Sequence, residues 1–115
     1  MYRFSYAEIL DETPQTARAR ERMALDHAVG LLQVASKSGS NSREAIEALV
    51  FCHRLWALLI EDLAHPENHL PTKLRADLIS IGLWIMRETE EIRQGRSENF
   101  EGIIQVTRAI SEGLQ

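Results

Sequence analysis

Three short breaks in the apolar periodicity constrain the fold of this chain more than any other feature. Ser38-Gly39-Ser40 interrupts the first periodic stretch, the loop HPENHLP interrupts the second, and Gly95 follows the third. Proline removes a helical hydrogen bond and glycine adopts the left-handed conformation that ends helices, so each break predicts a helix end. Between the breaks the apolar residues recur every three to four positions, which is the helical period. The chain is therefore predicted to form four helices joined by short loops.

The first two predicted helices begin with recognisable start signals. The first runs from Pro14 to Lys37, because Thr13 is a suitable N-cap and proline suits the first helical position. The second runs from Ser42 to Ala64, and Asn41 followed by Glu44 resembles a capping box. These bounds give two helices of similar length with a four-residue connection.

The last two predicted helices are bounded in the same way. The third starts near Pro71 and ends before Gly95, and Ser97 caps a fourth over about Glu98 to Glu112. Loops this short favour antiparallel neighbours. We expect an all-α fold over residues 1–115, a single-domain antiparallel helical bundle of three long helices and one shorter C-terminal helix.

The composition is that of a globular protein without attraction for polyanions. Hydrophobic residues make up 44% and charged residues 26%, which argues against disorder, and the net charge is −4. An acidic balance gives no general attraction to nucleic acid or to anionic lipid. The single cysteine, Cys52, excludes an internal disulfide, and the sequence contains no membrane-length apolar run and no secretory pattern at MYRFSYAEIL. We expect a cytoplasmic location.

The second and third helices carry more apolar surface than one face requires. The predicted core seam of the second helix comprises Ile46, Leu49, Trp56, Ile60 and Leu63. His53 lies within this seam and is expected to be a hydrogen-bonded core histidine. The predicted core seam of the third helix comprises Leu74, Leu78, Ile81, Ile85 and Ile92. Phe51 and Leu58 lie outside the first seam, between charged residues, and Ile79, Leu83 and Met86 form a second cluster more than about 100° from the other.

These additional apolar residues have two interpretations. They belong to the centre of a bundle in which a helix touches two neighbours, or they form a groove for a helix of another protein. We predict that Phe51, Leu58, Ile79, Leu83 and Met86 bind a partner. Tyr2, Phe4 and Tyr6 either supplement that contact, pack on the bundle itself, or fold only on binding.

No residue pattern predicts catalysis or metal binding. His65 and His69 flank a proline turn near carboxylates, but no second cysteine is present, so solvated loop histidines are expected rather than a zinc site. Cys52 and His53 point about 100° apart on a helix, which favours a buried structural cysteine over a reactive pair. The arginines of ARARER diverge around their helix, which weakens any nucleic-acid interpretation. We expect neither an enzyme nor a cofactor.

The stretches RLWALLIEDL, PENHLP and LISIGLW follow one another in a characteristic order and spacing, with the opening YRFSYAEIL and the stretch ARARERMALD in addition. In these stretches the sequence resembles the FlaF family of flagellar regulators from alphaproteobacteria. This resemblance implies a small cytoplasmic protein that binds flagellin as a secretion chaperone and works beside FlbT, a regulator acting on flagellin mRNA. It implies no catalytic residue.

Two other functions compete with flagellin binding at this point. One is a post-transcriptional regulator that binds RNA directly or through another regulator, which predicts an affinity that falls steeply with salt. The other is an architectural module that dimerises through the same apolar faces.

Overall fold

The protein is an antiparallel bundle of four helices in a computed structural model that describes residues 14–113. The helices are α1 (Pro14–Ser38), α2 (Arg43–Ala64), α3 (Thr72–Arg93) and α4 (Phe100–Gly113). This confirms the predicted all-α fold with three long helices and one shorter helix, and no strand occurs within the described range. The predictions for Tyr2, Phe4, Tyr6 and Thr13 fall outside the described residues.

The core is continuous along the bundle and is built largely from α1, α2 and α4. Its buried members include Leu25, Leu32, Leu49, Trp56, Ile85, Ile92, Phe100, Ile103 and Ile104. Helix α1 packs between α2 and α4, α2 packs between α1 and α3, and α3 meets α4 over only a few residues. The helices therefore follow the spatial order α4, α1, α2, α3, with an open edge between the outer pair.

Helices α2 and α3 approach closely at a glycine. A Cβ atom added to the buried Gly82 would lie 2.6 Å from Cε3 of Trp56 and 3.0 Å from Cδ1 of Ile60. Only a residue without a side chain fits between these two groups. This contact fixes which side of α3 faces α2.

Two predicted helix caps are wrong by one or two residues. Helix α2 is capped by Ser42 rather than Asn41: the Ala45 amide donates to Ser42 Oγ at 3.0 Å, and that hydroxyl donates to the Gly39 carbonyl at 2.7 Å. The cap of α4 is not Ser97 but a residue inside the predicted helix, Asn99, whose Oδ1 accepts from the Gly102 amide at 3.0 Å. Serine and asparagine are both good caps, so local sequence does not decide between neighbours.

The predicted core seam of α2 is also partly wrong. Ile46 and His53 are exposed, so His53 is not a core histidine. The buried arc includes Ala45, Ala48 and Cys52 and is therefore turned toward α1, where small side chains permit close packing. Within the seam of α3, Ile85 and Ile92 are buried as predicted, whereas Leu74 is exposed.

Candidate docking surfaces

The first candidate surface lies on the outside of α2 and α3. Ile79 and Met86 lie three and four residues from Gly82, at the edge of the contact between the two helices, and Leu83 projects into solvent with 49% of its surface exposed. Glu90 continues this row of α3, being four residues beyond Met86. Its members are therefore neighbours along one side of the helix.

Helix α2 contributes two exposed side chains to the same surface. A cleft of about 310 Å³ brings Val50 and His53 of α2 opposite Glu90 and Arg93 of α3. Ile46 precedes Val50 by one helical turn, and both are exposed. Ile46, Val50, Ile79, Leu83 and Met86 together are called the α2–α3 face.

The second candidate surface lies on the outside of α1 and α2. The rings of His27 and Phe51 meet edge to face with centroids 4.9 Å apart, which places Phe51 beside α1. Leu58, which is exposed, follows Phe51 by about two turns on the same side of α2. Met23 and Val34 are 69% and 52% exposed on the neighbouring helix. Met23, His27, Gly30, Val34, Phe51 and Leu58 together are called the α1–α2 face.

A charged row on α2 separates the two faces. Glu47, Arg54 and Glu61 recur at intervals of seven residues and are all exposed. Arg43 Nε donates to Glu47 Oε1 at 3.2 Å. Because both groups of this pair are largely solvated, the pair adds little stability, and its main effect is to set the charge of the boundary.

An ion pair also borders the cleft at the end of α3. Hydrogen bonds from Arg93 and then Gln94 lower the pKa of Glu90 to about 2. The Arg96 guanidinium likewise lowers the pKa of Glu91, to which it donates. Both carboxylates are charged at neutral pH, and Glu90 holds Arg93 at the cleft.

The five residues predicted to bind a partner do not form one groove. Ile79, Leu83 and Met86 share the α2–α3 face, whereas Phe51 and Leu58 lie on the α1–α2 face. Leu58 and Leu83 are exposed, and the other three are partly buried, with Phe51 and Met86 packed against the core. None of the five is fully enclosed, and their role as contact residues stays a prediction.

Sequence reasoning missed part of each face. The apolar pattern predicts Ile46 in the core seam and indicates no role for Val50, because it favours large apolar residues over the small ones that face α1. Met23 and Val34 also received no role, although they share one side of α1 with Gly30. The sequence does carry a signal for this side of α1, since Gly30 stands seven residues after Met23 and four residues before Val34.

The remaining chemistry-bearing groups have structural explanations. Burial raises the pKa of the Cys52 thiol to about 12, so this side chain is the predicted buried structural cysteine. Within residues 14–113, no three histidine, cysteine or carboxylate side chains are grouped to hold a metal ion. Over the same range no helix is both long enough and apolar enough to cross a membrane.

An open groove of about 320 Å³, lined by Ser80, Ile81, Trp84 and Val106, lies between α3 and α4.

Comparison with protein families decides the identity. Residues 2–114 match the family described as Flagellar protein FlaF. The chain belongs to the FlaF family. No curated protein and no solved structure gives a significant match. Family membership makes this chain a flagellar protein, and the match covers all four helices and both candidate surfaces.

Proposed function

We propose that this FlaF protein binds flagellin and acts as its cytoplasmic secretion chaperone, promoting flagellin production and filament assembly. Family membership supports the flagellar role. The observation that carries the proposal is the α2–α3 face, along which Ile46, Val50 and Leu83 are exposed and Ile79 and Met86 are partly buried. Large apolar side chains gathered on one face of a soluble domain are typical of a protein-binding surface.

The proposed mechanism is sequestration by burial. An amphipathic flagellin helix lies along α2 and α3 with its apolar side on Val50 and Leu83, and each Å² of apolar surface removed from water contributes roughly 25 cal/mol. Met86 suits such a contact, because a flexible thioether adapts to different side chains. Bound in this way, flagellin cannot polymerise before export.

Charges at the border of the face orient the client and add little affinity. The cleft carries Arg54 on α2 and the Glu90–Arg93 ion pair on α3. Charged groups at a rim chiefly affect the association rate and the orientation of the partner. We therefore expect binding to weaken only modestly with salt.

The test replaces one exposed leucine of the face. Leu83→Asp places a charge where the client helix would lie, so flagellin that co-purifies with the protein should fall at least about tenfold. The matched control is Leu74→Asp, since Leu74 is 43% exposed on the same helix but lies outside the face. Circular dichroism should show both variants folded.

Two outcomes would contradict the proposed surface. Undiminished co-purification with Leu83→Asp removes this face from the contact, and an equal loss with Leu74→Asp shows a non-specific effect. The same assay with an FlbT-type regulator or with flagellin mRNA in place of flagellin tests the competing partners. Leu58→Asp tests the residues predicted on the α1–α2 face.

A further inference from the structure

Nothing in the described part of the chain requires a glycine at position 30. Gly30 lies in the middle of α1 and is exposed, and apart from its own helix backbone no described residue has an atom within 4 Å of the place a Cβ would take. Its backbone is not in the left-handed region, which in the described residues is occupied by Gly39 and Gly95 among the glycines. Glycine in a helix interior is destabilising relative to alanine, so the fold alone would favour a larger residue here.

The side chains around Gly30 form an exposed apolar stripe. Met23 lies seven residues before Gly30, His27 three residues before it, and Val34 four residues after it. All three side chains are exposed. This spacing follows one side of a helix over about three turns. A glycine at the centre of such a stripe permits another helix to approach α1 closely.

We propose that the α1–α2 face binds the same face of a second copy of this chain, with the two α1 helices antiparallel. A two-fold axis halfway between His27 and Gly30 places the imidazole of each copy against the glycine of the other. The same register places Met23 opposite Val34 of the second copy. Each large side chain then meets a smaller one, which is the requirement for an interdigitated interface.

The charges of α2 support the antiparallel arrangement. His27 contacts Phe51, so the two-fold axis passes close to Phe51 along α2. Glu47 lies four residues before Phe51 and Arg54 three residues after it, both on the outer side. An antiparallel pair therefore brings each Glu47 near Arg54 of the other copy, so that opposite charges face each other across the interface.

This inference goes beyond the proposed function and does not depend on it. The charged row of Glu47, Arg54 and Glu61 separates the two faces, so dimer formation leaves the α2–α3 face uncovered. The chain can then bind a client and a second copy at the same time.

The test is sedimentation equilibrium of the full chain, without flagellin, over a range of concentrations. Wild type should form a concentration-dependent dimer, and Gly30→Gln should weaken association at least about tenfold by preventing close approach. The same variant should unfold at a higher temperature, because glutamine favours a helix. Loss of dimer together with gain in stability cannot result from misfolding. The control is Ser36→Gln, a similar addition at an exposed position of α1 outside the face.

A charge exchange tests the register. Glu47→Arg and Arg54→Glu should each weaken the dimer, and the double variant should restore it, since opposite charges again face each other. A wild-type chain that sediments as a monomer throughout would overturn the proposal. A double variant that dimerises more weakly than both single variants would also overturn it. So would a monomeric wild-type chain that loses flagellin binding on Gly30→Gln, because this result would assign the face to the client.

Discussion

At the scale of the residue, one close contact between α2 and α3 depends on a missing side chain. Gly82→Ala would place a methyl group 2.6 Å from the Trp56 ring, which is itself buried and cannot move aside. We expect the free energy of unfolding to fall by about 1–3 kcal/mol, as overpacking of a core does. Urea denaturation measures this change.

The control for that substitution is Gly30, a glycine in the interior of α1 with open surroundings. Gly30→Ala meets no atom within 4 Å, so it should raise the free energy of unfolding by about 0.5–1 kcal/mol. An unchanged stability of Gly82→Ala would show that α2 and α3 separate more easily than the structure indicates.

At the scale of the element, the start of α2 depends on one hydroxyl. Ser42→Ala removes both the bond from the Ala45 amide and the bond to the Gly39 carbonyl, so stability should fall by about 0.5–2 kcal/mol. Asn41→Ala, one residue earlier, should change stability by no more than a few tenths of a kcal/mol if Asn41 has no capping role. Thermal unfolding distinguishes the two, and equal losses would contradict Ser42 as the cap.

The existence of every helix within residues 14–113 could be predicted, because proline and glycine act locally. Pro71 and Gly95 bound α3 whatever packs against it. The orientation of α2 about its own axis could not be predicted, since it depends on Ala45 and Ala48 fitting closely against α1. Hydrophobic size alone assigned Ile46 to the core, although a helix buries the side on which its neighbours approach most closely.

At the scale of the whole molecule, the candidate site followed only partly from the sequence. The surplus of apolar residues on α2 and α3 could be recognised, and so could Leu58 and Leu83 as candidates. Their division between two faces could not, because it requires knowing that α1 lies beside Phe51 and α3 beside Trp56. Those distances are tertiary facts without a local signature.

The two proposed interfaces predict independent losses. Gly30→Gln should still co-purify flagellin at close to the wild-type level, and Leu83→Asp should still form the dimer, because the charged row of Glu47, Arg54 and Glu61 lies between the two faces. Substitutions at separate sites are additive in free energy, so the double variant should lose both properties. Sedimentation and co-purification of the three variants check this, and loss of both properties in either single variant would refute independence.

The pairing of α1 with α4 has a consequence for biogenesis. Ser111 donates a hydrogen bond to Asp26 across 85 positions of the chain. Translation delivers α1 first and α4 after the other helices, so one flank of α1 stays uncovered while the nascent polypeptide emerges. Contacts between such distant segments form slowly, so the native packing of α1 can be completed only after α4 has been synthesised.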